Sequence, residues 1–287
     1  MTPILAAETT AAALLGDRPD ETAIEAYERD GAIIVRGLIG AEWVASLRDC
    51  YDGMAEAAEA PYAKRGDGKG AIAATGVRDG MWREEEPFTK FLFESPIARA
   101  AAILMRSRSA RLYEDLLLTQ PAGAPAKTGW HQDEPTWPVS GRQLSSVWFS
   151  LEPVARETGA MRFVLGSHHG PLYHPGMVSA EQAGDDIRFW TGGAFPNVDG
   201  DPEQFRVLQT EAEPGDAVVF HPRAIHTAYG SAKDHARRTF TIRLLGDDVR
   251  WLPKRRVYHR WMHDLGMNEG DRIASPRLPL IWDAAAS

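Results

Sequence analysis

His131 and Asp133 are separated by one residue, Gln132, and an imidazole and a carboxylate held that close can share a metal ion. On an extended strand, residues two apart lie on one face, so the triplet offers a nitrogen and an oxygen donor together. A His-x-Asp triplet alone is a common surface or hydrogen-bonded pair. The second signal is Pro214-Gly-Asp-Ala-Val-Val-Phe-His-Pro-Arg-Ala-Ile-His226, where a turn launches an aliphatic strand and a histidine arrives beyond its end. His226 is the expected third ligand. Two imidazoles and one carboxylate make a facial triad that leaves coordination positions open and suits iron(II). His221 is expected to pack or cap, because Pro222 follows at once and its strand phase differs. His168 and His169, inside Gly166-Ser-His-His-Gly170, read as turn-forming, and His174, His235, His259 and His263 fit no ligand pattern.

The elements that must position these groups divide into a helical front and a β-rich back. Helical spacing runs over Glu21–Arg29, over Ala41–Ala60 with the stripe Trp43, Leu47, Tyr51 and Met54, and over Pro87–Arg106. Gly31–Gly37 reads as a short β-branched strand, Pro61–Gly80 as a long loop, and Ala110–Gln120 as a strand ending at Pro121. Short strands then follow at Ser145–Leu151, Gly159–Val164, Phe205–Leu208, Ala217–Phe220 and Thr239–Leu245, without intervening helices. The expected fold is mainly β with flanking helices: a double-stranded β-helix, the cupin-like jelly roll that commonly houses metals. One domain is expected over 1–287, with a mostly helical part at 1–110, a jelly-roll core at 111–250 and a C-terminal extension at 251–287.

Composition narrows the partners. At 44% hydrophobic and 25% charged residues, the 287-residue chain can bury a real core. A net charge of −8 argues against nucleic acid, whose binders are built from clustered Lys and Arg. The single cysteine, Cys50, forms no internal disulfide and matches no zinc or redox spacing, which points to a reducing, cytoplasmic setting. Met1–Leu15 carries Glu8 and no basic segment, the wrong pattern for a secretory signal, and no apolar run reaches membrane-spanning length. A small-molecule substrate is the expected partner. Aromatic residues in Asp185–Gln204, and Trp251 and Trp261 near the C-terminus, suit an apolar or ring-bearing one, or simply cover the barrel's edge.

Four phrases in order resemble the phytanoyl-CoA dioxygenase family: Tyr27-Glu-Arg-Asp-Gly-Ala-Ile-Ile-Val-Arg-Gly-Leu38, Trp130-His-Gln-Asp-Glu-Pro135 with Trp137-Pro138, Gly159-Ala-Met-Arg-Phe-Val-Leu-Gly-Ser-His168, and Pro214-Gly-Asp-Ala-Val-Val-Phe-His221. The resemblance implies iron(II) on His131, Asp133 and His226, with 2-oxoglutarate chelating the metal and O2 as oxidant. It implies hydroxylation of an unactivated C–H, with release of succinate and CO2. It also implies an arginine about one strand after the distal histidine for the far carboxylate of 2-oxoglutarate, where a guanidinium can pair bidentately. Arg237 and Arg238 both present themselves, and the family spacing favours Arg237. In that phase Thr239 and Thr241 face inward, while Phe240, Ile242 and Leu244 pack on the other side.

Three further cosubstrate contacts come from the resemblance. Trp148 sits where relatives tend to place an aromatic beside 2-oxoglutarate, a position that core packing explains equally well. Gln120 closes the strand before the metal pair and could donate to a carboxylate. Many relatives carry a small hydroxyl residue two positions after the distal histidine; here that position is Ala228, and Thr227 is the adjacent candidate. Halogenating relatives replace the metal carboxylate with Gly or Ala, whereas Asp133 is intact, so oxygenation is expected. The competing reading is a non-oxidative cupin-type isomerase or lyase, which would use the same ligands without a carboxylate-binding arginine.

Overall fold

Two sheets face each other across an apolar filling, and helices cover the outer side of the larger one. The protein is described by a computed structural model covering residues 7–57, 76–120, 128–174, 190–229, 237–253 and 265–286. The strands are β1 (Glu8–Thr10), β2 (Ala32–Arg36), β3 (Gly76–Asp79), β4 (Ser109–Gln120), β5 (Thr128–His131), β6 (Val139–Ser140) and β7 (Leu144–Ser150). They continue as β8 (Met161–Val164), β9 (Val207–Gln209), β10 (Ala217–Phe220), β11 (His226–Ala228), β12 (Arg237–Leu245), β13 (Arg250–Trp251) and β14 (Leu280–Asp283). The helices are α1 (Ala11–Leu14), α2 (Glu21–Asp30), α3 (Ala41–Ala57), α4 (Glu86–Glu94) and α5 (Ile97–Leu104).

The major sheet runs β1-β2-β10-β7-β12-β4-β14, with β3 also on β4, and the minor sheet runs β5-β11-β8-β9. This is the jelly roll with flanking helices that the strand spacing implies. Side-chain alternation divides the major sheet's work. Val147, Phe149, Val219, Phe240, Ile242 and Leu244 pack outward against Phe88, Phe91, Leu92 and other helical residues. The opposite phase sends Ile34, Trp148, Val218 and Phe220 inward to meet Met161, Phe163 and Leu208 of the minor sheet. A one-residue slip would exchange the two faces, so the apolar pattern fixes the register. Phe240 lies at the centre of the outer face, stacked on Phe88 at 5.4 Å and on Phe149 at 5.2 Å.

Several elements depart from the sequence expectation. The helix read over Pro87–Arg106 is two helices, because Ser95 turns extended at φ −75, ψ 160 immediately before Pro96. The end of the predicted loop Pro61–Gly80 is β3, paired with β4; residues 61–75 lie outside the described residues. Strands from both chain termini join the major sheet, β1 beside β2 and β14 beside β4. Trp251 is buried with Trp137 and Ile273 in a separate cluster, while Trp261 and residues 185–189 lie outside the described part. Among the described residues, no helix is long and apolar enough to cross a membrane.

Candidate active site

Neighbouring strands of the minor sheet bring the predicted ligands together. His131 at the end of β5 stands directly opposite His226 at the start of β11, with ring centroids 4.2 Å apart. Asp133 reaches the same space by a different route from strand alternation. The chain leaves β5 at His131, and Asp133, at φ −82, ψ −42, opens a short 3-10 turn over Glu134–Thr136. Its N–H donates to the Pro222 carbonyl at 2.8 Å, and that of Glu134 donates to the same oxygen at 3.1 Å. Asp133 Oδ1 then lies 3.6 Å from His131 Nε2. One donor atom from each of His131, Asp133 and His226 lies within 4.8 Å of the others.

This donor set fits a metal ion. His131 Nδ1 faces the Gly129 carbonyl at 2.8 Å, and His226 Nδ1 faces that of Ala224 at 2.9 Å. A carbonyl only accepts, so each Nδ1 carries the proton and each Nε2 lone pair is free to ligate. Burial and the neighbouring His131 pull the His226 pKa down to about 4, which keeps it a neutral donor. Burial opposes charge on His131 as well, but Asp133 outweighs it and holds that imidazole above its ordinary value. Burial alone would raise the pKa of Asp133; the guanidinium of Arg243 and the two imidazoles reverse this and hold the carboxyl well below the usual range. His226 is buried against Phe163 and Phe220, whereas the His131 side chain is 32% exposed, so the site opens on the His131 side.

The turn that carries Asp133 is clamped from below. Gln132, turned away from the ligands, donates to the carbonyls of Arg223 and Pro171 and accepts from the Tyr173 N–H. Glu134, with its side chain 3% exposed, takes the Arg223 guanidinium in two bonds of 2.8 and 2.6 Å. His221 caps the same segment: its Nδ1 accepts from the Arg223 N–H and its Nε2 donates to the Arg142 carbonyl. Its expected packing role is therefore what the structure shows. His168 and His169 form the expected turn, and both donate to the Glu28 carbonyl.

Arg237 and Arg238 part company on β12. Arg238 turns outward to Glu152 at 2.5 Å and Asp52 at 2.9 Å and lies over the Tyr51 ring. Arg237 faces the interior and donates to the Gly159 carbonyl. Gly159 sits at φ +104, and a Cβ there would collide with this guanidinium, so only glycine shapes that seat. Burial lowers the Arg237 pKa to about 10, leaving it cationic at neutral pH. Gln120 is paired with Arg237 across β4 and β12, and Trp148 is paired with Thr241 and packs in the inter-sheet cluster. The Thr227 hydroxyl is donated to the Thr128 carbonyl, on the opposite phase of β11 from His226.

Sequence reasoning passed over Arg243, whose terminal nitrogen lies 3.1 Å from Asp133 Oδ1, and its second partner Glu114. The signal was present: a charged residue on the inward phase of β12, between Ile242 and Leu244.

The jelly roll, the two imidazoles of its minor sheet and the carboxylate of the adjoining turn fit the Fe/2-oxoglutarate-dependent oxygenase superfamily, and the family match places the chain there. Within it, the family model for phytanoyl-CoA dioxygenase (PhyH) matches residues 27–239, and the chain belongs to that family. The peroxisomal phytanoyl-CoA dioxygenase of Rattus norvegicus is 21% identical over 244 residues, covering 79% of this chain and 68% of that protein. A probable phytanoyl-CoA dioxygenase of Caenorhabditis elegans is 25% identical over 123 residues, 42% of this chain and 36% of that one. Among solved structures, the non-heme alpha ketoglutarate dependent carbocyclase SnoK from nogalamycin biosynthesis has a TM-score of 0.72 at 18% identity, covering 96% of this chain and 99% of that one. The epimerase SnoN, in complex with Fe3+, alpha ketoglutarate and nogalamycin RO, has a TM-score of 0.70 at 22% identity over 92% of this chain and all of its own. EctD from S. alaskensis, with 2-oxoglutarate and 5-hydroxyectoine, has a TM-score of 0.66 at 16% identity, covering 97% and 92%.

Proposed function

We propose that this protein uses iron(II), 2-oxoglutarate and O2 to hydroxylate an unactivated C–H of a small organic metabolite, releasing succinate and CO2. The convergence of His131, Asp133 and His226, with Arg237 on the facing sheet, carries this reading. The bound iron and cosubstrate supply the oxidising chemistry, and the protein supplies orientation and exclusion of competing reactions. His131 and His226 act as neutral donors and Asp133 as the only anionic one, which leaves room for the cosubstrate beside them. Arg237 takes the far carboxylate of 2-oxoglutarate, with Trp148 and Gln120 as the remaining candidates around it; Thr227, whose hydroxyl is spent on the Thr128 carbonyl on the far face of β11, is set aside. Phe163 and Phe220 keep water from the inner side of His226.

Anaerobic addition of iron(II) and then 2-oxoglutarate should produce the weak visible charge-transfer band of the chelate, and its absence would overturn the cosubstrate assignment. With the band in hand, a metabolite panel is screened for substrate-stimulated succinate. A second reading concerns the outcome alone, since the similar solved structures include a carbocyclase and an epimerase. Hydroxylation adds one oxygen atom to the product, ring closure by oxidation removes two hydrogens, and epimerisation leaves the mass unchanged. Turnover without succinate would instead favour the non-oxidative isomerase or lyase.

A further inference from the structure

Arg243 stands six residues beyond Arg237 on β12 and therefore on the same, inward face. Its guanidinium is divided between two carboxylates. One terminal nitrogen lies 3.1 Å from Asp133 Oδ1 and the other donates to Glu114 Oε2 at 2.5 Å. Its Nε has no hydrogen-bond partner among the described residues. The acidic side chains are nearly out of water, 6% exposed for Glu114 and 11% for Asp133. Trp137 covers the guanidinium, 5.5 Å from ring centroid to Cζ. The N–H of Trp137 also closes the Asp133 turn by donating to the Glu134 carbonyl at 2.9 Å.

Burying such a triad is expensive, and apolar side chains of similar volume commonly stabilise a fold as well or better. What the triad delivers is geometry. A carboxylate can meet a metal through one oxygen or through two, and the second mode uses up a position that a facial triad must keep open. A guanidinium free to offer both terminal nitrogens would clamp Asp133 by both oxygens and draw it from the metal. Glu114 prevents this by anchoring the other terminal nitrogen, which holds the guanidinium where a single nitrogen reaches Asp133 and Nε meets no acceptor among the described residues.

We propose that Arg243, held by Glu114, is a positioning residue that fixes Asp133 as a one-oxygen ligand and so preserves a coordination position for the cosubstrate or O2. The inference rests on the assignment of His131, Asp133 and His226 as ligands, and the experiment separates the two. Cobalt(II) serves as the probe, read by its visible spectrum, its dissociation constant and the dissociation constant of 2-oxoglutarate for the cobalt protein. The double variant E114Q/R243M leaves no orphaned carboxylate at position 114, and Asp133 has the bound metal as its counter-charge; E114Q/R243Q is a polar second version. In whichever folds, the cobalt spectrum should change in the manner of an altered coordination number, and 2-oxoglutarate should weaken by about 10- to 100-fold. R243K, which keeps the charge but not the planar fork that divides the two carboxylates, should recover part of that loss. A folded double variant with the wild-type spectrum and unchanged 2-oxoglutarate affinity overturns the proposal. Undiminished cobalt binding by Asp133→Ala would instead defeat the ligand assignment itself.

Discussion

Replacing Arg237 with alanine tests the cosubstrate assignment most directly, because its neighbour Arg238 provides an internal control of the same type. Arg237 faces the interior, where burial already pulls its pKa down to about 10, so its charge is poorly solvated and gains from an incoming carboxylate. Truncating one partner of a hydrogen-bonded charge pair that is shielded from water costs 2–5 kcal/mol, and half-burial places Arg237 near the lower end. About 2–3 kcal/mol corresponds to a rise of roughly 30- to 150-fold in the Kd for 2-oxoglutarate. Arg238 is spent on Glu152 and Asp52 on the outer side. Arg238→Ala should therefore cost about 1 kcal/mol of stability or less and leave the Kd within about threefold. Both constants are read by anaerobic titration of the iron(II) protein, following the charge-transfer band. A strong rise for Arg238→Ala together with an unchanged Kd for Arg237→Ala would refute the assignment and the strand phase behind it.

Asp133→Ala should abolish coupled succinate formation by removing the only anionic protein ligand, and full retained activity would sink the metal assignment. Arg223→Met strands the buried Glu134 carboxylate beneath the metal turn; a loss of up to about 3 kcal/mol is expected in denaturant unfolding, with weaker metal binding alongside. An unchanged unfolding midpoint would show that the clamp contributes nothing. His221 and His168 have folded pKa values pulled down to about 3 and about 4, by burial first and by nearby positive groups second. The unfolded chain takes up protons at these positions from about pH 6.5 downward while the folded chain does not, so metal-free stability should be full above that pH and decline toward pH 4. His221→Gln should flatten the decline, as measured by thermal unfolding across the pH series; an equally steep curve would exclude His221 as a cause.

The parts of this molecule that were legible in its sequence depend on local rules. Donor spacing in His131-Gln-Asp133, the turn and aliphatic run before His226, and the alternation of Thr239, Phe240, Thr241 and Ile242 can each be read from a few adjacent residues. Asp133 shows the limit of that reading. Its spacing from His131 suggested strand alternation, but the carboxylate is delivered by a 3-10 turn anchored on the Pro222 carbonyl, 89 positions downstream of Asp133. Strands β1, β3, β13 and β14 are two to four residues long. No periodic pattern can emerge over so few positions; β1, β3 and β14 exist because longer neighbours offer them hydrogen bonds, and β13 pairs with the equally short β6. The break at Ser95-Pro96 was readable, since the residue before proline is disfavoured in the helical region, yet the apolar stripe on either side masked it.

Arg243 and Glu114 were hidden for a related reason, and their placement bears on how the fold organises its chemistry. Arg243 looks like an isolated charge on an aliphatic strand, and Glu114 like one half of an acidic pair with Asp115, patterns that usually mark a solvated edge. Only the antiparallel register of β4 and β12, which sets Glu114 beside Arg243, turns two anomalies into one ion pair. The ligands His131 and His226 sit on the minor sheet, and the inward cations Arg237 and Arg243 sit on β12 of the major sheet. Packed sheets stand about 10 Å apart, so a diacid that chelates a metal at one end and meets a guanidinium at the other bridges one group from each sheet. Arg243 cannot serve as that second anchor, because its two terminal nitrogens are already divided between Asp133 and Glu114. Arg237, whose side chain adjoins Gly159 where the chain enters β8, lies on the same face of β12 without a bond to Asp133. On the proposed reading, strand phase turns both guanidinia inward, and the position of a single buried glutamate divides the one that would steady the metal carboxylate from the one that would receive the cosubstrate.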